Sequence, residues 1–253
     1  MEVQGEWEEM IQLSVNSLTK NFDSNQVLSN LSFQVNEGEF VSILGPSGSG
    51  KSTIFNLIGG MLLPEEGSIM LGNAEISGKR GSISYMPQTP SLMPWRTILQ
   101  NVLLGQEIMG KPDPETARKM LQKAGLGDYE NAFPHELSGG MKQRTAFIRA
   151  LLSPQPIILL DEPFSALDEL TRLDMQKWLL DIWNDHKPTI LFVTHNIEEA
   201  IYLSDRILIL GSKPAKVVQE YKVPFGRPRM EEIFLDENFL ECKRSIHHAL
   251  KNH

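Results

Sequence analysis

The sequence contains very little cysteine and no long apolar run. Its single cysteine, Cys242, excludes an internal disulfide framework and a metal site built from several thiolates, and it is typical of a reducing compartment. No stretch reaches the roughly 18 consecutive apolar residues that a membrane-spanning helix needs. Residues 1–9 are acidic and lack a basic region followed by an apolar core, so we expect no secretory signal there. We therefore expect a chain that does not itself span a membrane.

An excess of positive charge is also missing. The 24 Lys and Arg residues against 32 Asp and Glu residues give a net charge of −8. Nonspecific nucleic-acid binding needs a basic face, so we predict no nucleic-acid partner. The length of 253 residues, with 41% hydrophobic and 22% charged residues, is that of an ordinary globular chain with one core or one core and a subdomain.

The spacing of apolar residues changes twice along the chain. It is strand-like in the first third, helical from about residue 90 to residue 152, and alternates between strand and helix afterwards. Such alternation favours a parallel sheet flanked by helices. We predict four segments: a first core part (11–88), a helical subdomain (89–152), a second core part (153–225) and a C-terminal tail (226–253). The tail has helical spacing and either packs on the domain or docks to a partner.

A glycine-rich loop follows the apolar strand 40–44 and precedes an apolar helix at 54–58. Residues 45–53 match the pattern G-x-x-x-x-G-K-[ST], in which glycines let backbone N–H groups point at phosphate oxygens. In this pattern Lys51 reaches the β- and γ-phosphates, and the Ser52 hydroxyl ligates Mg²⁺. The other interpretation is a Gly/Ser-rich turn with a surface lysine. The predicted phosphate-binding residues are Gly45, Pro46, Ser47, Gly48, Ser49, Gly50, Lys51, Ser52 and Thr53.

Two acidic residues follow the apolar strand at 157–160. Because ligands bind at the carboxyl ends of strands in open α/β sheets, Asp161 can hold Mg²⁺ through water at that edge. Glu162 follows directly and can act as a general base on the attacking water. Alone, this pattern is more typical of a strand that leaves the core; together with the phosphate loop it indicates a nucleotide-hydrolysing site.

A second anion-binding element lies between these two motifs. Leu137-Ser-Gly-Gly-Met-Lys-Gln-Arg144 places the hydroxyl of Ser138 and the N–H groups of Gly139 and Gly140 before a helix predicted from Met141 onward. A nucleotide has one γ-phosphate, so a second cradle is useful if it serves the nucleotide of another subunit. The alternative is a plain helix N-cap with a glycine turn.

The order of these three motifs resembles the ATP-binding cassette (ABC) ATPases, over residues about 11–225. The resemblance implies a P-loop NTPase (RecA-like) core of the α/β class with an N-terminal antiparallel β region and an inserted α-helical subdomain. It also implies ATP hydrolysis with Mg²⁺ in a sandwich of two such subunits.

The same resemblance assigns roles to four further residues. Gln88 is similar to the Q-loop glutamine, which places an oxygen near Mg²⁺ and water. Asp168 ends a Ser165–Asp168 segment that looks like the D-loop, and His195 looks like the switch histidine that contacts the γ-phosphate. Phe22 stands where the family has an aromatic that stacks on adenine, although a core position is the alternative. The predicted catalytic residues are Glu162, His195 and Gln88, and the predicted Mg²⁺ residues are Ser52, Gln88 and Asp161.

A finer resemblance covers residues 91–102, which are similar to a stretch of the nitrate/sulfonate/taurine importer subfamily; residues 227–229 are consistent with it. It implies an ATPase subunit that energises an importer for a small solute of the sulfonate, taurine, nitrate or thiamine-precursor type. The implied partners are a second ATPase subunit, an integral membrane permease and an extracytoplasmic solute-binding protein. The implied location is the cytoplasmic side of the membrane, as a peripheral subunit.

Three alternatives stay open at this stage. The chain can be a soluble, non-transport ABC ATPase of DNA repair or translation, although it lacks a long coiled-coil insertion or a second cassette. It can be a nucleotide switch without turnover, which the presence of both Glu162 and His195 disfavours. Trp95 either accepts a short helix of the membrane partner or packs inside the helical subdomain.

Overall fold

The computed structural model describes residues 10–165 and 167–252. The secretory-signal prediction for residues 1–9 therefore falls outside the described residues, as does Ala166 of the D-loop segment. The strands are β1 (Ile11–Phe22), β2 (Asn25–Asn36), β3 (Phe40–Leu44), β4 (Glu66–Leu71), β5 (Ala74–Glu75), β6 (Ser84–Met86), β7 (Ile157–Asp161), β8 (Thr189–Val193), β9 (Arg206–Leu210) and β10 (Val217–Lys222). The α-helices are α1 (Lys51–Ile58), α2 (Ile98–Ile108), α3 (Pro114–Lys123), α4 (Gly139–Leu151), α5 (Glu169–His186), α6 (Ile197–Leu203) and α7 (Glu237–Lys251).

The first sheet is antiparallel and has the strand order β2-β1-β4-β5. β1 pairs with β2 in a register that sets Val15 opposite Phe33, and with β4 in a register that sets Val15 opposite Ile69. All three side chains are buried, whereas the intervening residues face outward, as expected for a sheet with one covered face. The predicted N-terminal antiparallel β region is confirmed.

The second sheet has the order β10-β9-β3-β8-β7-β6 and is parallel except for the edge strand β10. Every residue of β3, β7 and β8 is buried. Helices cover one face of this sheet, and α1 together with the antiparallel sheet covers the other, so water is excluded from both sides and these strands are largely apolar. The carboxyl ends of β3, β7 and β8 meet at one edge, which positions the residues that follow them next to one another.

Helices α2, α3 and α4 lie consecutively between β6 and β7, in the part of the chain where the sequence predicts a helical subdomain. Their buried residues join one apolar cluster with residues of α5. The predicted start of α4 at Met141 is wrong, because the helix begins at Gly139. The hydroxyl of Ser138 accepts the N–H of Met141 at 3.3 Å, so Ser138 is the N-cap and both glycines form the first turn. The segment boundaries remain a prediction.

The C-terminal tail packs on the domain. Phe239, Cys242 and Ile246 of α7 are buried in a cluster with residues of α6 and β9. Arg229 is 6% exposed and donates to the carbonyl groups at the end of α6, those of Ile201, Tyr202 and Ser204, at 2.9, 3.0 and 2.7 Å. Of the two alternatives for the tail, the structure shows the first. Among the helices of residues 10–165 and 167–252, none combines the length and the apolar character needed to cross a bilayer.

Candidate nucleotide-binding and hydrolysis site

The loop between β3 and α1 has the backbone that a phosphate cradle requires. Gly48 and Gly50 have φ values of +76° and +95°, which side chains other than glycine rarely adopt. A Cβ at Gly50 would lie 2.9 Å from Cγ1 of Val27, so strand β2 also leaves no room for a side chain there. α1 begins directly at Lys51, three residues earlier than the predicted helix 54–58, and its N-terminus faces the loop.

Lys51 is held across its own loop. Its side-chain amine donates to the carbonyl oxygens of Gly45 and Pro46, both at 2.9 Å, and the residue is 8% exposed. Desolvation lowers the pKa of Lys51, while the carboxylates of Glu162 and Asp161 partly oppose this decrease. An incoming anion would favour the charged amine, which is the electrostatic condition for binding phosphate.

The acidic residues after β7 lie at the carboxyl edge of the sheet, beside the phosphate loop. Asp161 is 8% exposed and ends the strand. Glu162 has a φ of +44°, a conformation that is uncommon for a non-glycine residue and is held by its N–H bond to the carbonyl of Val193 at 2.9 Å. Strained backbone of this kind is concentrated at functional sites, since neighbouring contacts must maintain it.

The three predicted catalytic residues come together at the Glu162 carboxylate. Nδ1 of His195 lies 3.3 Å from Oε2 of Glu162, and Nε2 of Gln88 donates to the same oxygen at 3.4 Å. Gln88 also donates to Oγ of Ser165 at 3.1 Å. Their positions follow from strand order, because β6, β7 and β8 are neighbours and each residue follows its strand.

A cavity of about 420 Å³ joins the phosphate loop to the acidic edge. Its wall consists of Ser47, Gly48, Gly50, Lys51, Ser52, Thr53, Glu162, His195 and Lys213. The structure thus brings together most of the predicted phosphate residues with two of the three predicted catalytic residues. Lys213 is new: the sequence places it in the β9–β10 turn, and nothing in the turn pattern indicates proximity to the phosphate loop.

Tyr85 is a second residue that sequence reasoning missed. Its hydroxyl donates to Oδ2 of Asp161 at 3.2 Å, and burial together with the Asp161 carboxylate raises the pKa of the phenol. Burial also raises the pKa of Asp161, while the Tyr85 bond and Lys51 act in the opposite direction. The only signal available from the sequence was the position of Tyr85 three residues before Gln88.

Eight predicted nucleotide-binding residues do not line this cavity: Gly45, Pro46 and Ser49 of the phosphate loop and five residues outside that loop. Phe22 ends β1 with 44% of its surface exposed, so it is a surface side chain rather than a core residue. Ser138, Gly139 and Gly140 lie at the start of α4, exposed or half-buried. Asp168 is the N-cap of α5, and its hydrogen bonds with Thr171 hold the pKa of the carboxyl below its ordinary value.

Comparison with known proteins agrees with this geometry. Residues 28–165 match the family model described as ABC transporter. The formylaminopyrimidine import ATP-binding protein ThiZ of Halalkalibacterium halodurans is 46% identical over 204 residues, 79% of this chain and 80% of that protein. The aliphatic sulfonates import ATP-binding protein SsuB of Bacillus cereus is 40% identical over 228 residues, 88% of this chain and 91% of that protein.

The solved structures include a dimeric post-hydrolysis state of an ATP-binding cassette bound to ADP and Pi. It is 32% identical with a TM-score of 0.71, and the match covers 85% of this chain and 100% of that chain. The fold predicted from the sequence, a P-loop core with an antiparallel β region, is therefore confirmed. The chain belongs to the ABC transporter family and is an ATP-binding ATPase subunit of that family.

Proposed function

We propose that this chain is the ATP-hydrolysing subunit of an importer for a small organic solute, with Glu162 as the general base. The observation that carries the proposal is the convergence of Glu162, His195 and Lys51 on one cavity at the carboxyl edge of the parallel sheet. In the proposed mechanism, Lys51 and the loop N–H groups hold the phosphates, Glu162 accepts a proton from water, and His195 contacts the γ-phosphate. Gln88 donates to both the carboxylate of Glu162 and the hydroxyl of Ser165.

The residues present fit a magnesium ion. Mg²⁺ prefers oxygen ligands and is usually bound by one or two protein groups together with phosphate oxygens and water. Ser52 supplies an exposed hydroxyl in the first turn of α1, Asp161 a carboxylate at the strand end, and Gln88 an amide. When bound, Mg²⁺ neutralises phosphate charge. Hydrolysis that persists after exhaustive chelation would contradict this part of the proposal.

The proposed assembly contains two copies of this chain. Ser138, Gly139 and Gly140 form a helix N-terminus whose N–H groups can bind an anion, yet they are not part of the cavity at Lys51. A second copy can supply a phosphate to this cradle, and the dimeric, ADP-bound cassette structure supports such an arrangement. Phe22 and Asp168 are proposed to contact nucleotide in the same closed dimer.

A permease contact is proposed at Trp95. This side chain is 72% exposed, which removes the alternative that it packs inside the helical segment. The loop that carries it is held by hydrogen bonds: the fully buried Asn101 donates to the carbonyls of Met93, Arg96 and Thr97 at 3.0–3.1 Å and accepts the N–H of Met93 at 2.7 Å. A preformed loop that presents an exposed tryptophan is typical of a binding hot spot.

The solute class is proposed from the relatives. The protein named for formylaminopyrimidine import is 46% identical to this chain, and the one named for aliphatic sulfonate import is 40% identical. We propose a sulfonate or a thiamine-precursor pyrimidine as the solute, delivered by an extracytoplasmic binding protein to a permease, with this subunit on the cytoplasmic side. We also propose that the predicted helical subdomain, which contains the helices at 98–151, moves relative to the two core parts.

Co-purification is the first test of the proposal. The tagged chain should purify from membranes with an integral membrane protein, and Trp95→Ala should weaken that association while leaving ATP affinity unchanged. Association with nucleic acid instead would support the DNA-repair or translation alternative. In the reconstituted complex, ATP turnover should rise with an alkanesulfonate or with a formylaminopyrimidine; a complex that responds to neither would contradict the solute proposal.

A further inference from the structure

The residues on either side of His195 are held by one hydroxyl group. Thr194 is 2% exposed, and its hydroxyl donates to Oε2 of Glu199 at 2.5 Å. The same hydroxyl oxygen accepts the backbone N–H of Asn196 at 3.0 Å. His195 lies between these two residues, so the Thr194–Glu199 contact helps to hold its backbone, although the imidazole itself is exposed.

Glu199 connects this segment to the start of α5. Its second oxygen, Oε1, lies 3.7 Å from Nε of Arg172, and Nη2 of Arg172 donates to the carbonyl of Leu167 at 2.9 Å. Leu167 and Asp168 belong to the segment that resembles the D-loop. Arg172 therefore contacts both the backbone of that segment and the carboxylate that holds the residues around His195.

The Glu199 carboxylate occupies an unfavourable environment. It is 7% exposed, and desolvation raises its pKa, while the Thr194 hydrogen bond and the charges of Arg172 and His195 oppose the increase. A buried carboxylate costs free energy unless it is paired and hydrogen-bonded. Its partners include the Thr194 hydroxyl, the Arg172 guanidinium and the side chain of Gln176 on α5, and the first two connect it to the two functional loops.

We propose that Glu199 and Arg172 are positioning residues that keep His195 in a fixed relation to the D-loop segment. The inference rests on the proposed role of His195 at the γ-phosphate. Neither side chain belongs to the wall of the cavity at Lys51, and the contacts of both run to Thr194 beside His195 and to the carbonyl of Leu167, so both act through those neighbouring residues. A displacement of about 1 Å in a reacting group can cost on the order of a hundredfold in rate, so we expect loss of these contacts to lower kcat.

The chain offers isosteric variants and a matched control. Thr194→Val removes the hydroxyl and keeps the volume of the side chain, whereas Thr194→Ser keeps the hydroxyl and removes the methyl group. Glu199→Gln keeps the shape of the side chain and removes the charge that faces Arg172. Glu198→Gln is the control, because Glu198 precedes Glu199 on α6 but pairs with Lys243 instead, at 2.6 Å.

Each variant of the full-length chain is assayed by single-turnover ATP hydrolysis, by equilibrium ATP binding and by thermal unfolding. We expect Thr194→Val and Glu199→Gln to lower the hydrolysis rate about tenfold and to keep the Kd for ATP within about twofold. Thr194→Ser and Glu198→Gln should stay near the parent rate. An unchanged rate in Thr194→Val, an equal loss in Glu198→Gln, or a loss explained by weaker ATP binding would overturn the inference.

The Glu162→Gln variant separates this inference from the proposed function. If Glu162→Gln hydrolyses ATP normally, the catalytic assignment itself fails. If Glu162→Gln is inactive and both Thr194→Val and Glu199→Gln are normal, only the positioning role fails. Thr194→Ser keeps the hydroxyl and loses the methyl group, so a normal rate in this variant assigns the effect of Thr194→Val to the hydroxyl, and thermal unfolding of each variant reveals a folding artefact.

Discussion

Replacing Glu162 by glutamine should stop hydrolysis and leave nucleotide binding nearly unchanged. The substitution keeps the volume of the side chain, and its contacts to His195 and Gln88 are long, at 3.3 and 3.4 Å, so little stability depends on them. What disappears is the proton acceptor. A positioned general base contributes about 10²–10⁴ in rate, which corresponds to roughly 3–5 kcal/mol in the activation free energy.

The assay is a comparison of kcat with Kd. We expect kcat of Glu162→Gln to fall at least about a hundredfold, with the Kd for ATP within about threefold of the parent chain. Glu115→Gln is the control, because Glu115 is 80% exposed on α3 and pairs with Lys119 one turn away. A Glu162→Gln variant that keeps more than a third of the parent kcat would refute the reasoning.

Three further predictions concern binding and stability. Lys51→Ala should raise the Kd for ATP about ten- to a hundredfold in a fluorescence titration, since a charged hydrogen bond is worth about 1.5–3 kcal/mol; an unchanged Kd would contradict the phosphate-loop role. Gly50→Ala should lower the free energy of unfolding by about 1–3 kcal/mol in a denaturant titration, because φ is +95° and Val27 blocks the new Cβ; a neutral result would show that the loop relaxes easily. Arg229→Ala should lower the free energy of unfolding by about 2–4 kcal/mol in the same titration, because three helix-end carbonyls lose their donor. Arg244→Ala, at an exposed position, should change it by less than about 0.5 kcal/mol, and equal effects would disprove a specific role of Arg229.

Local patterns predicted the elements that carry the site. The strand at residues 40–44 and the strand that ends at Asp161 are continuous apolar runs because both faces of the parallel sheet are covered. Glycine adopts positive φ more readily than any other residue, so the pattern of Gly48 and Gly50 is visible without coordinates. Helix starts were less predictable: α4 begins two residues before the apolar pattern does, since the cap depends on the Ser138 hydroxyl and not on hydrophobic spacing.

Contacts between distant parts of the chain could not be predicted in this way. Tyr85 reaches Asp161 because β6 and β7 are neighbours in the sheet, and Lys213 reaches the phosphate cavity because a hairpin turn ends beside the loop. Both depend on strand order, which no local periodicity records.

The sequence by itself determined the chemistry of this protein: a phosphate loop, an acidic strand end and a second glycine cradle at set positions along the chain. The tertiary structure decided which side chains act together, such as Arg172 and Glu199 on separate helices, and it decided that the tail packs against α6 and β9. The physical reason is that motifs depend on backbone conformation and residue type within a few positions, whereas packing depends on which buried surfaces meet, and those surfaces come from segments far apart in the chain.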